Sequence, residues 1–351
     1  MKIDNKYSNA SKILIYLYLS GEVRYEHIKK IIQNSGVLKT EINRLKKRGY
    51  IEKRKPEFGS SIYLTEDGIR YVEEKFDLYS ANSPVGELRY SIVKKVRMTS
   101  RQLRGMNIIA FGNTQIEVAE KIPTLNEPRN ESIYIDTFRL KKELGQEVKQ
   151  ARVNGVCITK DEVYKIYGVD GQFKMLKPIE QRFIDRLKNK KMDGNPAQRT
   201  INEIVLSSNE KTLKAIMSTT REKSDEKSSL YYINSKDTHK YYVPFKTSEF
   251  QLKIATSKEN RNKILNALNS ELNSDMKTNW FGVVDNQFYM NLIDLNMGNI
   301  KKVMECNKHS PERIVTIVCL EEQKEMLDQI FDKENSYILL DRKQVEDIIA
   351  K

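Results

Sequence analysis

The sequence predicts an α+β protein in which a small helical segment carrying a β-hairpin precedes a longer mixed α/β region. Three observations lead there. Helical periodicity dominates as far as about Tyr79, interrupted by β-forming residues between Tyr50 and Leu64. Ala81-Asn82-Ser83-Pro84 then breaks all periodicity, and Pro84 drives its predecessor out of helical backbone. Beyond Asp136, short β-rich runs alternate with amphipathic helical ones to the end of the chain. At about 150 residues per domain, a chain of 351 residues divides into two or three.

Composition narrows the function classes. Lysine and arginine outnumber aspartate and glutamate by 61 to 48, a net charge of +13 that favours an anionic partner, nucleic acid before a membrane surface. No apolar run approaches the roughly 20 residues of a membrane span, so no membrane partner is expected. Met1-Lys2-Ile3-Asp4-Asn5 is polar and does not read as a signal peptide. The three cysteines, Cys157, Cys306 and Cys319, are too few and odd in number for a disulfide framework, which fits a reducing, cytoplasmic setting.

The charge is not spread evenly. From Lys29 to Lys55 there are ten lysines and arginines against only Glu41 and Glu52. The helical pattern there has a second helix at Tyr25–Asn34 with Ile28, Ile31 and Ile32 inward, and a turn at Ser35-Gly36. A third helix follows from about Val37 to Arg48. Leu38, Ile42 and Leu45 at i, i+4, i+7 form its buried stripe, which leaves Lys39, Thr40, Asn43, Arg44 and Lys47 on the opposite face. Gly49 supplies a left-handed helix cap. Tyr50–Lys55 and Ser61–Leu64 are the strands of a hairpin whose loop is Pro56–Ser60. Thr65 opens a further helix with Ile69, Val72 and Phe76 inward.

Two adjoining helices, the second with a basic polar face, followed by a hairpin, have the layout of a winged helix-turn-helix, which sets one helix in the DNA major groove. The stretch Val37–Ile51 and the run Leu64-Thr65-Glu66-Asp67-Gly68 resemble the winged helix-turn-helix superfamily of prokaryotic regulators and replication-associated proteins, over about a fifth of the chain. The candidate DNA-binding residues are Lys39, Thr40, Asn43, Arg44 and Lys47 on the third helix, and Lys53, Arg54, Lys55 and Ser60 on the wing. Double-stranded DNA is the expected partner, and a second copy of the chain is admitted as another. The architecture also resembles the replication-relaxation proteins of Gram-positive mobile elements, which implies a role in regulation, replication or transfer of a plasmid.

The remainder divides into a basic helix and linker at 81–131, a unit at 132–217 and a C-terminal α/β region at 230–351. Val85–Arg104 reads as the basic helix and Ile108–Val118 as short strands. From Asp136, a helix capped by that residue runs to about Ala151, followed by strands at Val156–Thr159, Val163–Val169 and Phe173–Leu176. A helix from Pro178 to Lys191 and a strand at Ile204–Leu206 complete the unit. Past the polar run Ser218–Asp237, strands are expected near Tyr241–Phe245, Phe281–Val284, Phe288–Ile293, Ile314–Cys319 and Tyr337–Leu340, with helices between and after them.

The order α-β-β-β-α-β is that of a restriction-endonuclease-like core. A metal-dependent nuclease of that kind would use Asp161 or Glu162 with Gln172 and Lys174, and Glu143 or Glu147 as a second acid. Gln172 lacks the carboxylate such a site needs, so no catalysis and no cofactor is expected. The alternatives are that nuclease, or a ligand-sensing transcription factor with residues 135–351 as sensor. His27, His239 and His309 are unclustered, and Cys306-x-x-His309 with Cys319 provides only three ligands at odd spacing for a zinc site that wants four.

Overall fold

The computed structural model describes residues 3, 6–54, 60–78, 95–114, 116–119, 131–145, 151–170, 177–189, 200–218, 238–272, 282–284, 287–310, 312–331 and 335–351. It is a mixed α+β chain in two compact units: Met1–Gly168 with Lys177–Arg199, and Val169–Leu176 with Thr200–Lys351.

The first unit begins with α1 (Asn9–Ser20), capped by the Ser8 hydroxyl. Every residue from Ile13 to Leu19 is at most 2% exposed, so the remaining elements of the segment are laid around this rod. They are β1 (Val23–Arg24), α2 (Tyr25–Ile28), α3 (Ser35–Lys47), β2 (Ile51–Lys53), β3 (Ser61–Leu64) and α4 (Glu66–Phe76). The strands form an antiparallel sheet in the order β1-β3-β2, with Ile51 opposite Leu64 and Val23 opposite Ile62. β1 is too short to leave a periodic signal in the sequence. α2 is shorter than its pattern suggests, and the boundary with α3 shifts. The Asn34 side chain accepts from the Gly36 and Val37 amides and caps α3, so Ser35-Gly36 is the first turn of that helix, not the preceding turn.

The next helix, α5 (Lys95–Gly112), runs through Ile108-Ile109-Ala110-Phe111, in place of the expected short strands. Those four residues are fully buried, and a continuous apolar run buried all round has no periodicity to separate helix from strand. Strand structure begins instead at β4 (Glu117–Val118). α5 packs on α1 and β1, and also on β4, β5 (Ile133–Asp136) and β7 (Glu162–Gly168). With β6 (Gly155–Ile158), these strands lie in the order β4-β5-β6-β7; β4 is parallel to β5 and the other neighbours are antiparallel. Phe111 of α5 stacks on Tyr134 of β5 at 4.3 Å between ring centroids. On the other side Tyr16 of α1 donates to Asn113 at 2.8 Å.

Asp136 caps α6 (Thr137–Leu144), as its position in the sequence implies, and pairs with Arg139 inside the protein. α6 stops at Gly145, short of Ala151. α7 (Lys177–Asn189) is fastened by buried Glu180, which accepts from the Arg152 amide and the Tyr167 hydroxyl. The strand expected at Phe173–Leu176 lies outside the described residues, as do most of the polar run Ser218–Asp237 and residues 85–94 of the basic helix.

The second unit pairs β8 (Thr200–Ser207) parallel to β9 (Lys240–Pro244) and includes α8 (Lys211–Met217), α9 (Ser248–Ala255) and α10 (Lys258–Glu271). A second sheet has the order β10 (Gly282–Val284), β11 (Gln287–Asn291), β12 (Val315–Leu320) and β13 (Ser336–Leu340), antiparallel at its first pair and parallel after it. The parallel pairs are connected through α11 (Met297–His309) and α12 (Glu321–Asp328), and α13 (Arg342–Ala350) closes the chain. Phe250, Ile254, Ile264, Leu268, Ile293, Val318, Leu320 and Val345 form the core beneath them. The expected strands of this region are present; α8 and α9 have no counterpart among the expected elements.

A methyl group at Gly105 would lie 2.7 Å from the Glu22 carbonyl oxygen, which is backbone and cannot swing away. Glycine to alanine inside a helix ordinarily gains up to about 1 kcal/mol, but here overpacking, at about 1–3 kcal/mol, wins. Gly105→Ala therefore lowers the melting temperature; a rise would show that α5 is not held this closely. In the second unit, burial pushes the Asp294 carboxyl up to about 6, outweighing the pull of Arg261. The folded state thus holds a proton that the unfolded chain releases near pH 4. This contribution is greatest below about pH 4, declines as pH rises to about 6, and is flat above. The stability difference between wild type and Asp294→Asn should change by about 3 kcal/mol across that window; a constant difference in urea titrations contradicts it.

Candidate nucleic-acid interface

α3 separates its faces cleanly. Leu38, Ile42 and Leu45 are buried, while Lys39, Thr40, Asn43, Arg44 and Lys47 are all exposed. The five helical residues expected to form a basic face therefore do lie together on solvent. Lys46 and Arg48 are also exposed, and so is Val37 at 39%. The i, i+4, i+7 pattern does not single out these three, although Lys46-Lys47-Arg48 is a plain basic run. The Thr40 hydroxyl donates back to the Gly36 carbonyl at 2.9 Å, and Arg44 lies 3.9 Å from Glu41. At the end of the helix Tyr50 N–H bonds the Leu45 carbonyl and Gly49 N–H that of Lys46, with Gly49 at φ 73°. This is the paired cap that a left-handed glycine allows. It turns the chain directly into β2.

β2 and β3 are fastened across the hairpin by side chains. Glu52 accepts from the Tyr63 hydroxyl at 2.6 Å, and burial with that bond pushes the phenol up to about 12. Lys53 is exposed, its ammonium 5.0 Å from the centre of the Tyr25 ring. Ser60 is exposed and its carbonyl accepts from the Tyr25 amide. Lys55, expected on the wing, lies outside the described residues.

Arg54 is placed differently from expectation. Its Nε lies 3.1 Å from the carboxylate of Glu22, which has no exposed surface, and its guanidinium covers the Tyr63 ring at 4.7 Å. A carboxylate withdrawn from water needs a cation and hydrogen bonds, and Arg54 supplies the cation. No local pattern announces this pairing, because Glu22 and Arg54 are 32 residues apart. Two basic residues of α5 are likewise turned from solvent: Arg101 is buried, and Arg104 donates to the Ser20 carbonyl at 3.2 and 2.9 Å.

The nuclease candidates do not form a site among the described residues. Asp161 is exposed in the β6–β7 turn, and Glu162 is buried with the Tyr164 hydroxyl on its carboxylate at 2.5 Å. Gln172, Lys174 and Glu147 lie outside the described residues, and the side chain of Glu143 is not described. No group of three histidine, cysteine or acidic side chains gathers as a metal site among those that are described. A shallow depression in the second unit, lined by Ile254, Arg261, Ile264, Asn291, Ile293 and Asp294, has essentially no enclosed space for a ligand. No described helix is long and apolar enough to cross a membrane.

Comparison with known proteins gives no match to a family profile, to a curated protein or to a solved structure.

A Mg²⁺ site needs converging carboxylates, and the sequence offers an amide, Gln172, at one of the matching positions. Supercoiled plasmid incubated with the full chain and Mg²⁺ or Mn²⁺ should therefore stay supercoiled. Nicking that disappears in both Asp161→Ala and Lys174→Ala would establish the nuclease instead.

Proposed function

We propose that this protein binds double-stranded DNA through a winged helix-turn-helix formed by α1 to α4, with α3 in the major groove and the β2–β3 hairpin as the wing against the backbone. The carrying observation is the division of α3, whose three buried aliphatic residues leave every lysine and arginine of the helix on the solvent side. Any helix packed on one side sorts its residues in this way; what favours an anionic partner is the sign of the outer charges, with Lys39, Arg44, Lys46 and Lys47 against Glu41 alone. Asn43 and Lys39 are the groups that would read base edges, since amide and ammonium side chains match adenine and guanine in the major groove. Lys53 would meet phosphate. The sheet order β1-β3-β2 and the cap at Gly49 support the same reading, because they hold the hairpin immediately after the helix.

The full chain should bind duplex oligonucleotides with a log–log salt slope of about −5, the figure for roughly six neutralised phosphates. Absence of binding at about 50 mM salt, or a flat salt response, would sink the proposal. Within it, Lys39→Ala and Asn43→Ala should relax sequence choice in a randomised-site selection, while Lys53→Ala weakens all sequences alike. Identical behaviour of the two groups would refute the division of roles.

A further inference from the structure

At the base of the hairpin, two residues flank the loop: Arg54 where β2 ends and Ser61 where β3 begins. The Arg54 amide donates to the Ser61 carbonyl at 3.0 Å. The same two residues converge through their side chains on Glu22. Oε2 of Glu22 takes Arg54 Nε at 3.1 Å, and Oε1 takes the Ser61 hydroxyl at 2.5 Å. A third arm comes from α5, where Gln102 Nε2 reaches Oε1 at 3.4 Å while its own carbonyl accepts from Arg24 Nε at 2.8 Å. Glu22 and Ser61 have no exposed surface and Gln102 is 2% exposed.

We propose that Glu22 is the positioning residue of the wing. Each oxygen of its carboxylate grips one stem of the hairpin loop, and the Gln102 arm ties that grip to α5. This rests on the DNA-binding reading above and adds two things to it. Arg54 becomes a strut and not a phosphate ligand, and the reach of Lys53 toward the backbone is set by a buried acid. A carboxylate removed from water is strongly disfavoured unless its oxygens are filled. Here they are filled by the two residues that bracket the loop, so the geometry of the loop base and the satisfaction of the charge are one requirement. A cation elsewhere in the core would satisfy the charge without touching both stems.

The test uses the full chain with the duplex selected by the wild type. Glu22→Gln keeps the shape and the Ser61 bond but removes the charge that holds Arg54. The expected result is a folded protein with affinity about three- to tenfold weaker. Its salt slope should be shallower by about 0.9 for each phosphate that the wing no longer neutralises. The drop in affinity should be smaller in a Lys53→Ala background than in the wild type. Ser61→Ala, which leaves the Arg54–Glu22 pair intact, should show the same pattern at lower amplitude, and it serves if Glu22→Gln does not fold. A folded variant that is less stable but keeps wild-type affinity and slope overturns the positioning role and leaves DNA binding standing. An equal drop in both backgrounds also overturns it, because the effect is then not exerted through the wing. Failure of the wild type to bind any duplex removes both readings.

Discussion

The packing of α5 is the constraint on which the first unit depends. From Arg101 to Gly112 this helix has no exposed residue. It covers α1 and β1 on one side and reaches β4, β5 and β7 on the other. Close approach is possible because Gly105 and Gly112 lie where side chains would strike the Glu22 carbonyl and the Tyr16 ring. The bonds that anchor it are directional as well as apolar. Arg104 closes the end of α1, Asn113 receives Tyr16 and reaches the Lys30 carbonyl, and Gln102 reaches Glu22. The proposed DNA-binding segment is therefore not an appendage on a linker. Its central helix is covered by a helix that belongs equally to the sheet behind it.

This arrangement sorts the charges. Basic side chains near α5 are drawn inward and answered by carbonyls, rings and acids: Arg104 by Ser20 and Phe138, and Arg54 by Glu22 and Tyr63. Those on α3 are left on solvent, with Glu41 at the margin of the helix 3.9 Å from Arg44. Net charge alone does not distinguish the two sets. Burial does: it draws Arg54 off the exposed basic face and leaves Lys46 and Arg48 on it.

How much is legible in the sequence follows from the same physics. α3, α4, α10, α11 and α13 can be read because one face of each is wet and the other dry, which writes a period into the sequence, while β9 and β12 are buried and show instead as short runs of β-forming residues. The caps at Asp136, Thr65 and Gly49 are readable for a local reason, since a cap needs only its own few residues. What escapes is whatever lacks a period or is not local. Ile108–Phe111 is wet on no side, and its apolar run suits a strand as well as a helix. β1 and β5 are short and wholly or partly buried, and α2 ends at Ile28, before Asn34 caps the next helix. At the candidate site the five positions on α3 follow from i, i+4, i+7 spacing. The diversion of Arg54 does not, because it is decided by an acid 32 residues away whose burial only the folded chain creates.

DNA binding through α3 and the wing is tested most directly by lysine acetylation of the full chain, free and with a saturating duplex, read by mass spectrometry. Lys39, Lys47 and Lys53 are exposed in the free protein. Duplex should protect these three, while exposed Lys253 and Lys343 of the second unit react equally in both samples. Protection confined to the second unit, or equal modification of Lys39, Lys47 and Lys53 with and without DNA, would contradict it.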